Sequence, residues 1–450
     1  MSNLNLRTIT GKDGMPVYFP TGIAIGAGAA GTVNNIGTAG QQGFGVGICP
    51  GPLPAGMGEM FGCRSQGSDN YGNYQYSDGS VMVWVPAFYY KWGTGANGVT
   101  LNQVSIQPFS AYADVATANA AGYALHRAFY DGGAIQQGFF VDKYLPSYNA
   151  GTASSLKNGI VLTSAARGSL SNEQFSNLTG APTDAYYGAI AAAKTRGANF
   201  FCSSRFIFAA LAMLAYAHGQ ASSTTTYCAW YHATNNFPKG NNNNALGDAQ
   251  DAAILYTYDG NGTYAGCGKT GSANLFARTT HNGQNSGVCD LNGLVYEITP
   301  GLTSDAANLY VLKTSAQMKS LTAGNTLATD LWGATGIAAL YDSLGATYGA
   351  CWATGANRSL LYGAATQVFS EATSGNAWNF AGLGAPLAAG VGGTNAFGND
   401  GFYDYKPNEM CPLSGGNWNN SSTAGVWYLA LNNVRGGSAD SVGFRAALYL

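Results

Sequence analysis

Two short stretches decide the fold: residues 413–418 read Leu-Ser-Gly-Gly-Asn-Trp, and residues 443–450 read Gly-Phe-Arg-Ala-Ala-Leu-Tyr-Leu. Around both stretches apolar and polar side chains alternate, as they do in short β-strands. The segment between them, residues 419–433, mixes amide and hydroxyl side chains with Trp427 and Tyr428. The sequence therefore indicates a rigid frame that holds a polar and aromatic insert.

Two interpretations of this insert stay open. Asn, Ser and Gly supply adjustable hydrogen bonds, and Trp and Tyr supply rigid contact area, so the composition is typical of an adaptable binding surface. Alternatively, residues 427–429 form one more buried strand and the Asn residues form its turns. Composition alone favours neither interpretation.

The chain carries very little charge. Only 9% of its 450 residues are Asp, Glu, Lys or Arg, and the net charge is −2, whereas ordinary soluble domains carry roughly 25% charged residues. Without a basic field to attract phosphate, nucleic acid is not an expected partner. The 64 glycines and 28 tyrosines favour a loop-rich, mostly β chain. A neutral polar partner, such as a glycan or a protein loop, fits this composition.

Residues 1–80 differ in composition from the rest. Residues 24–62 are dense in Gly, Ala and Pro and have too few large side chains to pack alone. We therefore predict a Gly-rich extended N-terminal arm over residues 1–80, which packs against other copies or a larger assembly, and one domain over residues 81–450. The glycines at 28 and 31 do not indicate a phosphate-binding loop, because no Gly-Lys-Ser/Thr follows them.

No membrane insertion is expected. Residues 1–7 lack the basic and then apolar pattern of a secretory signal. The longest strongly apolar run, residues 206–217, is shorter than the ~20 residues that span a bilayer. This run is better interpreted as a buried helix.

The cysteines and histidines do not form a recognisable metal or catalytic pattern. The eight cysteines are widely spaced and contain no C-x-x-C pair, so we expect buried free thiols. The histidines (His126, His218, His232 and His281) are far apart in the sequence and are expected to be surface or hydrogen-bonded core groups.

Four segments carry the clearest secondary-structure patterns. Residues 81–90 and 138–144 read as strands, the second with Asp142 at its charged end. Helices are predicted over residues 185–194 and 203–218, the second capped by a serine and stopped by the glycine at 219.

Four pieces of sequence, in order, resemble the formylglycine-generating-enzyme-like domain, a branch of the C-type lectin fold. The resemblance extends over roughly residues 80–450. Its pieces are Phe139-Phe140-Val141-Asp142-Lys143-Tyr144, the helix from Arg205 to His218, the turn Asp290-Leu291-Asn292-Gly293-Leu294-Val295-Tyr296-Glu297, and the pair Ser414-Gly415-Gly416-Asn417-Trp418 and Gly443-Phe444-Arg445. It implies an α+β, C-type-lectin-like fold, β-rich with long loops and about two helices.

The resemblance also separates two functions. In the enzymes of this family, one copper-binding cysteine directly follows Gly-Phe-Arg, and this chain has Ala446 there and no thiol after Cys411. A methyl group cannot ligate a soft metal or take part in redox chemistry. We therefore expect a protein that is not an enzyme and has no cofactor.

The non-catalytic branch of the family includes phage receptor-binding tail proteins and the targets of diversity-generating retroelements. In those proteins, the residues between the two frame motifs bind the ligand. The resemblance thus implies a virion tail-fibre adhesin that binds a host cell-surface receptor and contacts other tail proteins. The receptor-binding candidates are Asn417, Asn419, Asn420, Ser421, Ser422, Trp427, Tyr428, Asn432, Asn433 and Ser441.

Three further expectations follow from this interpretation. Display as a homotrimer would raise avidity without new contacts. The alternative function is a structural virion protein, a head or tail decoration that uses the same fold for assembly. Calcium binding also stays open, because lectin-like folds often bind calcium and the chain offers clustered oxygen ligands at Asp259 with Asn261 and at Asn399, Asp400 and Asp404.

Overall fold

The structure, a computed structural model, describes most of the chain. The described residues are 30–170, 173–179, 185–235, 237–240, 243–262, 266–314, 341–349, 351–352, 356–390 and 395–450. This part of the chain is β-rich, with several open sheets and five α-helices, and forms an α+β fold.

A six-stranded antiparallel sheet forms the centre of the fold. Its strands are β1 (Met57–Glu59), β2 (Asn73–Tyr76), β3 (Val81–Pro86), β9 (Gly138–Asp142), β12 (Phe201–Cys202) and β22 (Ala446–Leu448). They lie side by side in the order β1-β2-β3-β9-β22-β12. The sheet thus joins segments that are hundreds of residues apart.

The two central strands, β3 and β9, are apolar except for Asp142 at the end of β9, because both faces of the sheet are covered. Val83 and Val141 pair across β3 and β9 and face a core that includes helix α4 (Arg205–Ala221). Trp84 and Phe140 pair next to them and face a second core with helix α3 (Ala185–Ala193). Burial on both faces explains the continuous apolar runs that identified these strands in the sequence.

A second six-stranded sheet holds the frame motifs. Its strands are β13 (Tyr296–Ile298), β17 (Ser359–Leu361), β18 (Gly401–Tyr403), β19 (Leu413–Ser414), β20 (Leu429–Ala430) and β21 (Val442–Gly443), in the order β17-β18-β20-β19-β13-β21. The pairs β18–β20 and β13–β21 are parallel, and the other pairs are antiparallel. Strand β13 therefore lies between the two ends of the C-terminal frame.

The remaining strands form smaller sheets. One contains β4 (Phe88–Trp92), β5 (Val104–Pro108) and β6 (Ala124–Leu125), and another contains β14 (Leu302–Ser304), β15 (Leu309–Leu312) and β16 (Tyr341–Gly345). Two ribbons pair β7 (Tyr130–Asp131) with β8 (Ala134–Ile135), and β10 (Ser147–Asn149) with β11 (Thr152–Ser154). The predicted strand over residues 81–90 is thus two strands in different sheets, divided at Ala87 after Pro86, which has no backbone N–H to donate.

The two predicted helices are confirmed as α3 and α4. The Ser204 hydroxyl accepts a hydrogen bond from the Ile207 N–H at 3.3 Å and caps α4. Helix α4 ends at Ala221, two residues beyond the predicted stop, and nearly all of it is buried. The sequence missed three shorter helices, α1 (Val115–Ala120), α2 (Phe175–Thr179) and α5 (Gly375–Gly382). None of the helices in the described ranges has the length and apolarity needed to cross a bilayer.

Residues 30–80 are part of the folded domain. Phe44, Val46 and Ile48 are buried in the same core as α4, and β1 and β2 extend the central sheet. The packing is therefore continuous across residue 80, the predicted boundary. The apolar side chains before it pack on the core that contains α4. Residues 1–29 of the predicted arm lie outside the described residues.

A buried arginine joins the two large sheets. Arg445 lies between β21 and β22, and its Nε donates to both carboxylate oxygens of Glu297 in β13, at 2.9 and 3.0 Å. Its Nη1 donates to the backbone oxygens of Asp142 and Lys143, at 3.2 and 3.1 Å, and its Nη2 donates to the Cys289 oxygen. Every one of these groups is buried, so the guanidinium charge is compensated inside the protein.

We predict that replacing Arg445 with Met destabilises the protein by about 3–5 kcal/mol, because Glu297 would be left as an unpaired buried carboxylate. The measurement is the free energy of unfolding in denaturant.

Arg64→Met is the matched control. Arg64 also pairs with a glutamate, Glu59, but at the surface, where its side chain is 51% exposed, and exposed pairs contribute about 0–1 kcal/mol. Equal losses in the two variants would contradict the role assigned to Arg445.

Candidate functional site

The insert between the frame motifs is fastened at its base. The Gly415 N–H donates to the Tyr428 oxygen at 3.1 Å, and the Gly425 N–H donates to the Gly415 oxygen at 3.0 Å. The Asp400 carboxylate accepts the Trp427 N–H at 2.7 Å. A Cβ on residue 425 would lie 2.0 Å from Asp400 Oδ1, so only glycine allows this approach. The two ends of the insert are therefore hydrogen-bonded to each other, and its C-terminal end is also bonded to Asp400.

Asp400 is a buried acid with no basic side chain in hydrogen-bond contact among the described residues. It is 2% exposed, and burial raises its pKa to about 8, although the hydrogen bond from the Trp427 N–H acts in the opposite direction. The positive charge of Lys239 lowers the pKa of Asp400 by electrostatic attraction, without a hydrogen bond between the two side chains. This side chain therefore gains a proton when the protein folds at neutral pH.

The exposed part of the insert is a short polar loop. Asn420 Oδ1 accepts the Asn417 N–H at 2.8 Å, and the Thr423 hydroxyl donates to the Asn420 oxygen at 2.8 Å. These bonds close a single 3₁₀ turn over Ser421–Thr423. Asn419 and Ser422 point outward and are exposed. The loop carries no charge, and its own hydrogen bonds hold its backbone in place.

Trp427 and Tyr428, which the sequence interpretation places on the receptor-binding face, lie in the interior of this structure. Each side chain is only 2% exposed. The Trp427 ring packs on Phe369, with ring centroids 5.0 Å apart, and on Phe397 at 5.7 Å. The Trp427 ring belongs to the core beside α4 and the Tyr428 ring to the core beside α3. This burial agrees with the alternative of a buried segment, although the strand itself, β20, begins only at Leu429.

Several other predicted residues are buried or half-buried. Asn417 is 3% exposed and belongs to the interior. Asn432 and Asn433 are half-buried and follow β20 at the end opposite to the polar loop, where the Asn433 oxygen accepts the Cys411 N–H at 2.8 Å. Ser441 is half-buried and precedes β21, and its oxygen accepts the Tyr296 N–H at 2.9 Å.

Two tyrosines beside the loop were missed by the sequence interpretation. Tyr296 and Tyr403 are half-buried. The Tyr296 and Tyr428 hydroxyls lie 3.2 Å apart, and the Asn420 side chain also hydrogen-bonds Tyr296. The Tyr403 ring centroid lies 6.1 Å from that of Tyr428. We call the polar loop, residues 419–422, together with Tyr296 and Tyr403 the loop surface. Only strand pairing brings the two tyrosines to the loop, and no local sequence signal marks them.

The cysteine thiols are buried and have raised pKa values. All eight cysteines are buried, as predicted, and burial raises the pKa of Cys63 and of Cys228 to about 12. Ala446, at the position of the enzymes' copper-binding cysteine, is buried in β22 and donates its N–H to Asp142 Oδ2 at 2.8 Å. Residue 446 thus contributes a backbone hydrogen bond within the central sheet, and this contact does not involve its side chain.

The calcium candidates are engaged in other contacts. Asp259 pairs with the buried Arg167 at 3.1 Å, and Asp404 pairs with Arg358. Asp400 accepts the Trp427 N–H described above. Within the described ranges, no group of three or more His, Cys, Asp or Glu side chains is arranged to hold a metal ion. The carboxylates that the sequence grouped together are therefore divided among separate contacts.

Comparison with solved structures shows a weak likeness. No protein-family model and no curated protein matches the chain. Among solved structures, the chain is similar to "Major Tropism Determinant U1 Variant", with 13% sequence identity and a TM-score of 0.29. The alignment covers 83% of this chain, which spans 65% of the length of that protein. A TM-score of this size does not define the fold or the function.

We predict that Trp427→Ala lowers the free energy of unfolding by about 3–5 kcal/mol, because it leaves a cavity in a packed aromatic core. Asn419→Ala, on the exposed loop, should change the free energy of unfolding by less than about 0.5 kcal/mol. Denaturant unfolding measures both. A Trp427→Ala variant as stable as the parent protein would mean that this ring is exposed in solution.

We predict that stability falls as pH rises from about 5 to 8, partly because Asp400 must release its proton. The folded-state pKa of about 8 lies above the unfolded value of 3.8, so the stabilisation is complete below the unfolded pKa and is lost as pH rises through the folded one. One proton of difference changes the free energy of unfolding by about 1.4 kcal/mol per pH unit. Asp400→Asn should flatten this slope in unfolding curves at pH 5, 6, 7 and 8, and an unchanged slope would contradict the assignment.

Proposed function

We propose that this chain is a phage tail-fibre receptor-binding protein, which binds a host cell-surface receptor non-covalently through the loop surface. The observation that carries the proposal is the contrast between the loop and its base. Asn419 and Ser422 are exposed, uncharged and adaptable in hydrogen bonding, whereas the base is fixed by Asp400, Gly415 and Gly425. A loop whose backbone is ordered in advance loses less entropy when it binds.

We further propose that the domain is C-type-lectin-like, of the formylglycine-generating-enzyme-like branch. Pieces of sequence that carry this resemblance meet at one point: Arg445 hydrogen-bonds both Glu297 and Asp142 inside the protein. Ser414 pairs with Glu297 in the adjacent strand. Motif residues that are far apart in the sequence are thus neighbours in a single buried network, which is the expected arrangement if the motifs exist to build this frame.

A binding role fits the chemistry of the chain better than catalysis. The three buried histidines have lowered pKa values because burial disfavours their charged form, to about 3 for His126 and about 4 for His218 and His281. The thiols are buried and protonated. Groups of this kind support a core, and the loop surface offers amides, hydroxyls and tyrosine edges, which suit recognition of a polar surface.

The proposal includes an assembly. We place the protein in the virion tail as a homotrimer without a required cofactor, because weak individual sites gain avidity from multiple display. Calcium stays an addition to test, by comparing melting temperatures with and without a chelator. The alternative role, a structural virion protein, predicts that the loop surface is covered by neighbouring subunits.

The test is adsorption of purified, fluorescently labelled protein to host cells. We expect Asn419→Ala combined with Ser422→Ala to reduce adsorption at least tenfold, without a change in oligomeric state or melting temperature, because both side chains are exposed.

Ser223→Ala combined with Thr225→Ala is the matched control. These residues are exposed on the loop after α4, and their loss should leave adsorption unchanged. Full adsorption by the Asn419/Ser422 variant would place the receptor site elsewhere. If the loop variant instead failed to assemble into virions, the structural role would be favoured.

A further inference from the structure

A cleft of about 650 Å³ opens on the surface, away from the interior of the frame. It lies between the loop that contains Asp69, the segment that follows β9, and the short helical turn that begins at Phe276. Protein clefts that bind small molecules typically have volumes of roughly 300–1,000 Å³. The cleft is therefore large enough for one or two sugar units.

Two lysines face this cleft without a carboxylate in ion-pair contact. Lys143 and Lys157 both line it, and no described Asp or Glu lies within 4.0 Å of either ammonium group. Arg278, the other cation of the lining, is already paired with Asp251 at 2.6 Å. The carboxylate of the lining, Asp69, offsets one lysine. One positive charge remains in excess, in a chain whose net charge is −2.

Lys143 is held in a fixed position at the floor of the cleft. It is 3% exposed, and its Nζ donates to Asn73 Oδ1 at 2.5 Å, to the Asn285 oxygen at 2.6 Å and to the Asp69 backbone oxygen at 3.4 Å. Lys143 therefore contributes a positive charge to the cleft, whereas its three N–H groups are already engaged. Burial lowers its pKa to about 8, so the group remains mainly charged at neutral pH. Burying an ammonium group without a carboxylate partner is costly for folding, and a bound anion would offset part of that cost.

The rest of the lining is aromatic and amide. Lys157 Nζ lies 5.2 Å and Lys143 Nζ 5.5 Å from the centroid of the half-buried Phe276 ring. Asn285 adds an exposed amide at the rim, which donates to Asp69 Oδ1 at 3.0 Å. The Asn274 amide, also in the lining, is engaged with the backbone of Ala253 and Leu255. Aromatic rings and amides are the groups that contact the C–H faces and hydroxyls of sugars, while the ammonium groups attract a negative charge.

We propose that this cleft binds a carboxylate-bearing sugar unit of an acidic polysaccharide. The carboxylate lies beside the exposed Lys157, where the buried charge of Lys143 also attracts it, and the sugar ring lies against Phe276 with its hydroxyls toward the Asn285 amide. This inference goes beyond the loop surface, because it concerns different residues and a different ligand chemistry. It can hold whether or not the loop surface binds a receptor.

The experiment is calorimetric titration of the full-length protein with methyl glucuronide at neutral pH and low salt. Methyl glucoside, which has the same ring without the carboxylate, is the neutral comparison. We expect saturable binding of the glucuronide and at least tenfold weaker binding of the glucoside.

Lys157→Gln should weaken glucuronide binding at least fivefold. Lys157 is exposed, so the variant is expected to fold, and an unchanged melting temperature verifies this. The matched control is Lys91→Gln. Lys91 also lies over an aromatic ring, 5.6 Å from the Tyr123 centroid, but it does not line the cleft, and its loss should leave binding unchanged.

Three results would overturn the inference: no saturable binding of the glucuronide, equal affinity for the glucoside, or displacement of the glucuronide by inorganic sulfate at equal concentration. The last result would reduce the cleft to a simple anion site. Since the titration uses isolated protein and no cells, its failure would not bear on adsorption through Asn419 and Ser422.

Discussion

The buried guanidinium group of Arg445 is the contact on which the rest of the structure depends. It touches groups from separate parts of the chain, at residues 142–143, 289 and 297. These parts belong to both large sheets, so one side chain fixes how the sheets meet. The charge can be buried only because Glu297 and several backbone oxygens surround it. Strand β13, which carries Glu297, lies between β19 and β21.

The frame also explains why a nearly uncharged loop can remain ordered. Hydrogen bonds of Asn417 and Asn420 order the loop backbone, and the base of the loop is fixed by Gly415, Gly425 and Asp400. Substitutions at Asn419 or Ser422 would leave this base intact. The residues that stabilise the fold are thus different from those available for contact. Such a separation allows the surface of a recognition protein to change while its fold is kept.

The sequence predicted the parts of the fold that have a strong local signal. The apolar runs of β3 and β9 and the capped helix α4 are examples, because burial on both faces or a serine cap leaves a pattern in consecutive residues. The candidate site was predicted less well. Asn419 and Ser422 are exposed as expected, whereas Trp427 is buried by Phe369 and Phe397, which are some thirty to sixty residues upstream. Tyr296 and Tyr403 reach the loop only through strand pairing. Such distant contacts leave no local trace in the sequence.

The eight buried thiols have a consequence for durability. A thiol reacts with peroxide or oxygen mainly as its thiolate, and only when the reagent can reach it. Here burial both blocks access and keeps the sulfur protonated. We therefore expect the thiols to resist oxidation in air and not to cross-link neighbouring molecules.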